Sequence, residues 1–160
     1  MPKHIAVITS GGDVPGLNAC IRAIVHAAQH EGVAVSGVRH GYDGLMRGEI
    51  MPLNTDSVHD IMQRGGTILH SARSKRFETA EGREAAAKAL KKTTIDSLIV
   101  IGGDGSLTGA GLFAAEHALS IIGIPKTIDN DVTGTDTCIG YDTAVNTAMQ
   151  ALDRIRDTAD

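Results

Sequence analysis

Tryptophan is absent from this 160-residue sequence, and phenylalanine and tyrosine occur only twice each, whereas glycine occurs 19 times. A chain so poor in aromatics and so rich in glycine is expected to turn often. Cysteine is scarce as well. Cys20 and Cys138 lie far apart, form no CxxC pair and have no ligand-like neighbour, so they read as free buried thiols of a reducing compartment, with neither disulfide nor zinc expected. Basic charge is not in excess: 15 Lys and Arg stand against 19 Asp and Glu, a net charge of -4, and the densest basic run is the short Arg73 to Arg76 cluster. Without an electrostatic footprint for phosphate backbones, DNA and RNA are not expected partners.

Long apolar runs are also lacking. Ile5 to Ile8 is too short for the core of a signal peptide, no cleavage pattern follows it, and no stretch is long enough to cross a bilayer. A soluble, cytoplasmic protein with no membrane partner is the expectation. Composition is that of a globular chain, with 42% hydrophobic and 21% charged residues. At this length about 70% of the unfolded surface can be buried, so one hydrophobic core forms without staples and a single domain is expected.

What is present is a repeated punctuation of apolar runs by glycine. Ile5-Ala6-Val7-Ile8 reads as a strand buried on both faces, ended by Thr9-Ser10-Gly11-Gly12. After Pro15, the apolar positions Leu17, Cys20, Ile21, Ile24, Val25 and Ala28 follow helical spacing, and Gly32 stands where a C-terminal cap is wanted. The pattern recurs at Ser97 to Ile101, then Gly102-Gly103-Asp104-Gly105-Ser106, then an alanine-rich helical segment to His117, and more loosely after Ile121 to Ile124. Val33 to Val38 reads as a second strand, Ala80 to Lys92 as an exposed helix, and Tyr141, Val145, Ala148, Leu152 and Ile155 as one face of a helix running almost to Asp160. Gly41 to Arg73 has no clear period. Alternating strands and helices predict an α/β fold, a doubly wound parallel sheet with helices on both faces, and place any ligand at the carboxyl ends of the strands.

Three turns would then meet along one edge: Gly11-Gly12-Asp13, Gly102 to Ser106, and Lys126-Thr127-Ile128-Asp129-Asn130-Asp131. In the second, glycines let backbone N–H groups approach phosphate oxygens and the following helix points its positive end at the same place. Asp104 in that cradle repels a phosphate unless a cation lies between them, and magnesium is the natural mediator. Asp129 or Asp131 can orient a substrate hydroxyl and accept its proton. Each turn also has a plainer reading, since glycine turns reverse chains and Asx residues close turns. Their co-occurrence at strand ends favours phosphoryl transfer, which needs little beyond positioning and charge neutralisation. His26 and His30 stand four apart on the first helix but lack a third ligand. Arg73, Lys75 and Arg76 lie in a loop that could clamp a nucleotide if it reaches the phosphate edge.

Thr9 to Asp13 with Pro15-Gly16-Leu17-Asn18, Arg64-Gly65-Gly66-Thr67, Ser71-Ala72-Arg73, Gly102 to Ser106 and Pro125 to Asp131 together resemble the signatures of the phosphofructokinase family, in order and spacing. The likeness runs on to Asp153-Arg154-Ile155-Arg156-Asp157-Thr158. It implies transfer of the γ-phosphoryl group of ATP to the 1-hydroxyl of fructose 6-phosphate, a glycolytic step, by a homo-oligomer at full length. The resemblance assigns ATP binding to Gly11, Arg73, Ser74, Gly103, Asp104, Gly105 and Ser106, and Mg2+ to Asp104. It makes Asp129 the catalytic base, with Thr127 at the reacting phosphate, Lys126 in the catalytic set and Asp131 in support; Thr127, Ile128 and Asp129 contact the sugar phosphate.

Two positions bear on the donor. Pyrophosphate users in the family carry an aspartate where Gly105 stands, so Gly105 favours ATP, whereas Lys126 occurs in pyrophosphate users and in some ATP users. Of the positions matching the family's effector arginines, Arg22 and Arg156 are retained but His26 and Thr55 are not, which argues against the usual ADP and phosphoenolpyruvate control. Family members are longer, so the chain is expected to be truncated: an incomplete nucleotide-binding domain over 1–138, then a helix over 139–160 leading into an absent sugar-phosphate domain. Alone it is expected to bind nucleotide and turn over little. The alternatives are a pyrophosphate-dependent relative, another GGDG kinase acting on NAD or lipid, and a non-catalytic nucleotide-binding or regulatory module.

Overall fold

The structure, a computed structural model, describes residues 2–159. Strands β1 (His4–Thr9), β2 (Ala34–Val38), β3 (Ile50–Leu53), β4 (Ser97–Gly102) and β5 (Ser120–Pro125) form one sheet in the order β3-β2-β1-β4-β5. β1, β2, β4 and β5 are parallel, and β3 runs antiparallel to β2 at one edge. The sheet is the expected doubly wound α/β one, with β3 added as an antiparallel edge strand. The chain leaves β1 towards β2 on one side and β4 towards β5 on the other, so the strand order reverses between β1 and β4. At such a reversal the two connections diverge and leave a crevice at the carboxyl ends.

Alternate residues of the strands enter two cores. Ile5, Val7, Val35 and Ile101 pack with Leu17, Ile21 and Val25 of helix α1 (Leu17–His30) and with Val58, Ile61 and Leu69 of the following loops. Ala6, Ile8, Val38, Leu98 and Val100 pack on the opposite face against helices α2 (Gly41–Arg47), α3 (Ala80–Leu90) and α4 (Asp104–His117). Burying one such Leu or Ile contributes about 1.5–3 kcal/mol, and the period-2 alternation is what commits each strand to both cores.

The segment without a legible period contains α2 and β3. α2 is only seven residues long and includes Gly44, where a Cβ would lie 1.5 Å from the Arg39 carbonyl oxygen, so only glycine fits that approach. β3 carries Pro52, which an edge strand tolerates because the lost N–H has no ladder partner to satisfy. α3 is not the exposed helix its composition suggests: Arg83, Ala86, Ala87 and Leu90 are buried on one side, the alanines being small enough for close approach. Helix α5 (Tyr141–Ala159) has the expected amphipathic spacing but no buried residue; Val145, Met149, Leu152 and Ile155 are exposed along one stripe. No helix among the described residues is long and apolar enough to cross a membrane.

Candidate functional site

Register brings the three turns side by side. Thr9 pairs with Ile101, and Ile101 with Ile124, so the chain leaves β1, β4 and β5 at one level. The loops are then bonded to one another. Ser10 N–H donates to the Ile101 carbonyl at 3.0 Å, Lys126 N–H to the Gly102 carbonyl at 3.0 Å, and Gly11 N–H to the Ala72 carbonyl at 3.2 Å. Ser106 on the first turn of α4 donates its hydroxyl to Ser10 Oγ at 3.0 Å, and Tyr42 donates to the Ser106 carbonyl at 2.8 Å. Gly11 has φ +88, and a Cβ there would approach Lys126 Nζ to 3.2 Å, so glycine serves both the turn and the contact.

These loops enclose a cleft of about 590 Å3, with α4 opening into it through Gly103 and Asp104. The unpaired N–H groups and positive dipole end of that 14-residue helix therefore face the cleft. Every residue to which the resemblance assigns a site role lines it: Gly11, Arg73, Ser74, Gly103, Asp104, Gly105, Ser106, Lys126, Thr127, Ile128, Asp129 and Asp131, with Asp13 beside them; Lys75, Arg76, His26 and His30 do not. Asp104 and Asp129, on different strand ends, thus share one cavity.

The loop after β5 is shaped by its own side chains. Thr127 N–H donates to the Ile139 carbonyl at 3.1 Å, and Thr127 Oγ1 accepts from Asp129 N–H at 3.1 Å. Asn130, at φ +53, donates to the Asp136 carbonyl and accepts from Cys138 N–H at 2.8 Å. Asparagine is among the few residues that accept this left-handed conformation without large strain. Lys126 is 3% exposed, and its Nζ donates to the Gly12 carbonyl at 2.6 Å. Burial pushes its pKa below the usual lysine value; the Asp13 carboxylate opposes this and the Arg73 guanidinium adds to it.

Five carboxylates (Asp13, Glu78, Asp104, Asp129 and Asp131) but only two cations (Arg73 and Lys126) line the cleft. A bare polyphosphate meets net repulsion there outside the α4 terminus. Ser74 donates its hydroxyl to Asp43 and accepts from Phe77 N–H at 3.2 Å, so both its bonds run to the protein. Tyr42, Phe77, Glu78 and Gly109 also line the cleft and were missed by sequence reasoning. Tyr42 and Phe77 stack at 3.6 Å with planes 5° apart, and Phe77 meets Phe113 edge-on at 5.3 Å. Their scarcity was the one available hint, since two of the four aromatic residues line the cleft and a third, Phe113, packs behind Phe77.

The family model described as phosphofructokinase matches residues 4–160, which includes all of these loops. The chain belongs to the phosphofructokinase family. It is 55% identical over 157 residues to ATP-dependent 6-phosphofructokinase 2 of Bacteroides thetaiotaomicron, covering 98% of this chain and 48% of that protein. Among solved structures it resembles the phosphofructokinase of Saccharomyces cerevisiae, at 41% identity and TM-score 0.93, over 98% of this chain and 24% of that one. A pyrophosphate-dependent phosphofructokinase from Marinobacter aquaeolei is less similar, at 25% identity and TM-score 0.76, over 87% and 37%. The chain spans about half the length of the curated relatives it matches. In this phosphofructokinase chain a Cβ at Gly105 would have no atom within 4 Å, so the space beside the α4 terminus is open.

Proposed function

We propose that this chain carries the donor site and the catalytic base of an ATP-dependent 6-phosphofructokinase, a cytoplasmic phosphotransferase acting on fructose 6-phosphate as a homo-oligomer. The observation that carries the reading is the shared cleft: the phosphate-binding end of α4 and the Asp129 carboxylate open into one cavity. Residues 1–138 are read as the nucleotide-binding domain and 139–160 as the helix leading to a sugar-phosphate domain, a division supported by the lack of any buried residue on α5.

The donor set suits magnesium. Mg2+ takes one or two carboxylates and completes its shell with phosphate oxygens and water, and Asp104 stands as an exposed carboxylate at the cradle. Among the described residues no cluster of three or more His, Cys, Asp or Glu could hold a metal by itself, which fits an ion that arrives with the polyphosphate. When bound, such an ion neutralises charge on the β- and γ-phosphates. The remaining work falls to the chain: α4 N–H groups receive the phosphates, Lys126 offers its ammonium beside them, and Asp129 orients the sugar hydroxyl and takes its proton.

Pyrophosphate as donor has one observation in its favour, the buried Lys126 facing the cleft. The open space at Gly105 and the names of the nearer relatives favour ATP. Calorimetric titration of this chain with Mg2+ and ATP, and separately with Mg2+ and pyrophosphate, tests the choice. ATP is expected to bind more tightly; preferential binding of pyrophosphate refutes the assignment.

A further inference from the structure

One wall of the cleft is a 3-10 turn, Arg76–Glu78, which presents Phe77 and Glu78 to the cavity. Three residues in a 3-10 turn cannot hold themselves in place. The Ser74 hydroxyl and the Tyr42 ring hold Phe77 from one side, and the tie to α4 comes from Arg83 on α3, which does not line the cleft and is 6% exposed. Its Nη1 donates to the Phe77 carbonyl at 3.2 Å and to the Glu78 carbonyl at 2.7 Å. Its Nε and Nη2 donate to the two oxygens of Glu116 on α4 at 2.6 and 2.7 Å. The planar fork thus ties the turn to α4, the helix whose other end meets phosphate.

We propose that Arg83 is a positioning residue for the base end of the donor cleft, so that preference for a nucleoside triphosphate over a bare polyphosphate depends on it. The inference rests on the donor-site reading above. Gly109 lies five residues beyond Asp104, about 7.5 Å along the α4 axis. A Cβ at Gly109 would stand 3.4 Å from Phe77 Cδ1 and Cε1, about van der Waals contact, so the turn packs beside α4 there. That end of the cleft is lined by Gly109, Tyr42 and Phe77, the two rings stacked on each other and each 3% exposed, so they form an apolar floor beneath a base while the phosphates stay at the helix terminus. Without Arg83, two carbonyls and the Glu116 carboxylate lose their partner together, and the turn loses its tie to α4.

The test compares Mg2+–ATP and Mg2+–tripolyphosphate binding by calorimetry on the chain and on its Arg83→Met and Arg83→Lys variants. Arg83→Met is expected to weaken ATP about tenfold and leave tripolyphosphate unchanged. Arg83→Lys, which keeps the charge without the fork, is expected to lose ATP affinity less but in the same selective way. Thermal melts run beside the titrations, and if Arg83→Met does not fold, Arg83→Lys decides. Equal weakening of both ligands, or unchanged ATP binding, overturns the proposal. A parent chain that binds neither ligand overturns the donor-site reading and this inference with it.

Discussion

Lys126 reaches back from the end of β5 and donates its buried ammonium to the Gly12 carbonyl at 2.6 Å, joining the third turn of the cleft to the first. The bond spans 114 residues of sequence and sets the separation of the two loops.

Because burial lowers the pKa of Lys126, the folded chain releases this proton at a lower pH than the unfolded chain does. Just below pH 10.5, the ordinary lysine value, the unfolded state holds more protons, so stability rises with pH across that window. Lys126→Met removes the rise. Urea titrations at neutral pH and just under 10.5 are expected to show the parent chain gaining stability relative to the variant as pH climbs. A flat or falling difference contradicts the burial account.

Glu49 gives the same sign at the acid end of the scale. Its hydrogen bond from Arg47, and next that from His40, hold its pKa down at about 2. The stabilisation is present above the usual glutamate range and is lost as pH falls through about 2. Acid unfolding monitored by circular dichroism should therefore be less steep in Glu49→Gln than in the parent chain; identical acid limbs would show that the two contacts do not stabilise the fold.

Gly105→Asp places a carboxylate in the open space beside the α4 terminus. An acidic residue in a first helical turn is favourable to the helix itself, so the melting temperature is expected to hold or rise. ATP affinity is expected to fall by about 100-fold or more, since each 1.4 kcal/mol of repulsion is a factor of ten. Calorimetry beside a thermal melt separates the two effects, and retained ATP binding would mean that the phosphates lie elsewhere.

Much of this architecture is readable from residues alone, and the unread parts have physical causes. β1, β4, α1 and α4 announce themselves through continuous apolar runs, helical spacing and glycine pairs. α2 and β3 are too short to establish a period, and Gly44 and Pro52 are residues that ordinarily argue against the elements containing them. Arg83 looked like a solvated charge in an Ala-, Glu- and Lys-rich helix; its burial depends on Glu116, 33 residues away, which only tertiary packing brings near. Tyr42 and Phe77 belong to no motif, so their place in the cleft followed from the fold.

The stripe on α5 provides a control on the stability argument. Leu152 is 64% exposed, whereas Leu17 is fully buried. Leu152→Ser is expected to change the stability of the 160-residue chain by less than about 0.5 kcal/mol, and Leu17→Ala to cost about 2–5 kcal/mol. Comparable losses in urea unfolding would show that α5 is packed against the body of the chain.

The most direct measurement joins this chain to the C-terminal half of the Bacteroides thetaiotaomicron relative and compares it with its Asp129→Asn variant in ATP binding and steady-state turnover with fructose 6-phosphate. If Asp129 takes the hydroxyl proton, kcat falls by about 100- to 10,000-fold while ATP affinity stays within about twofold. Undiminished kcat in the variant would contradict the account.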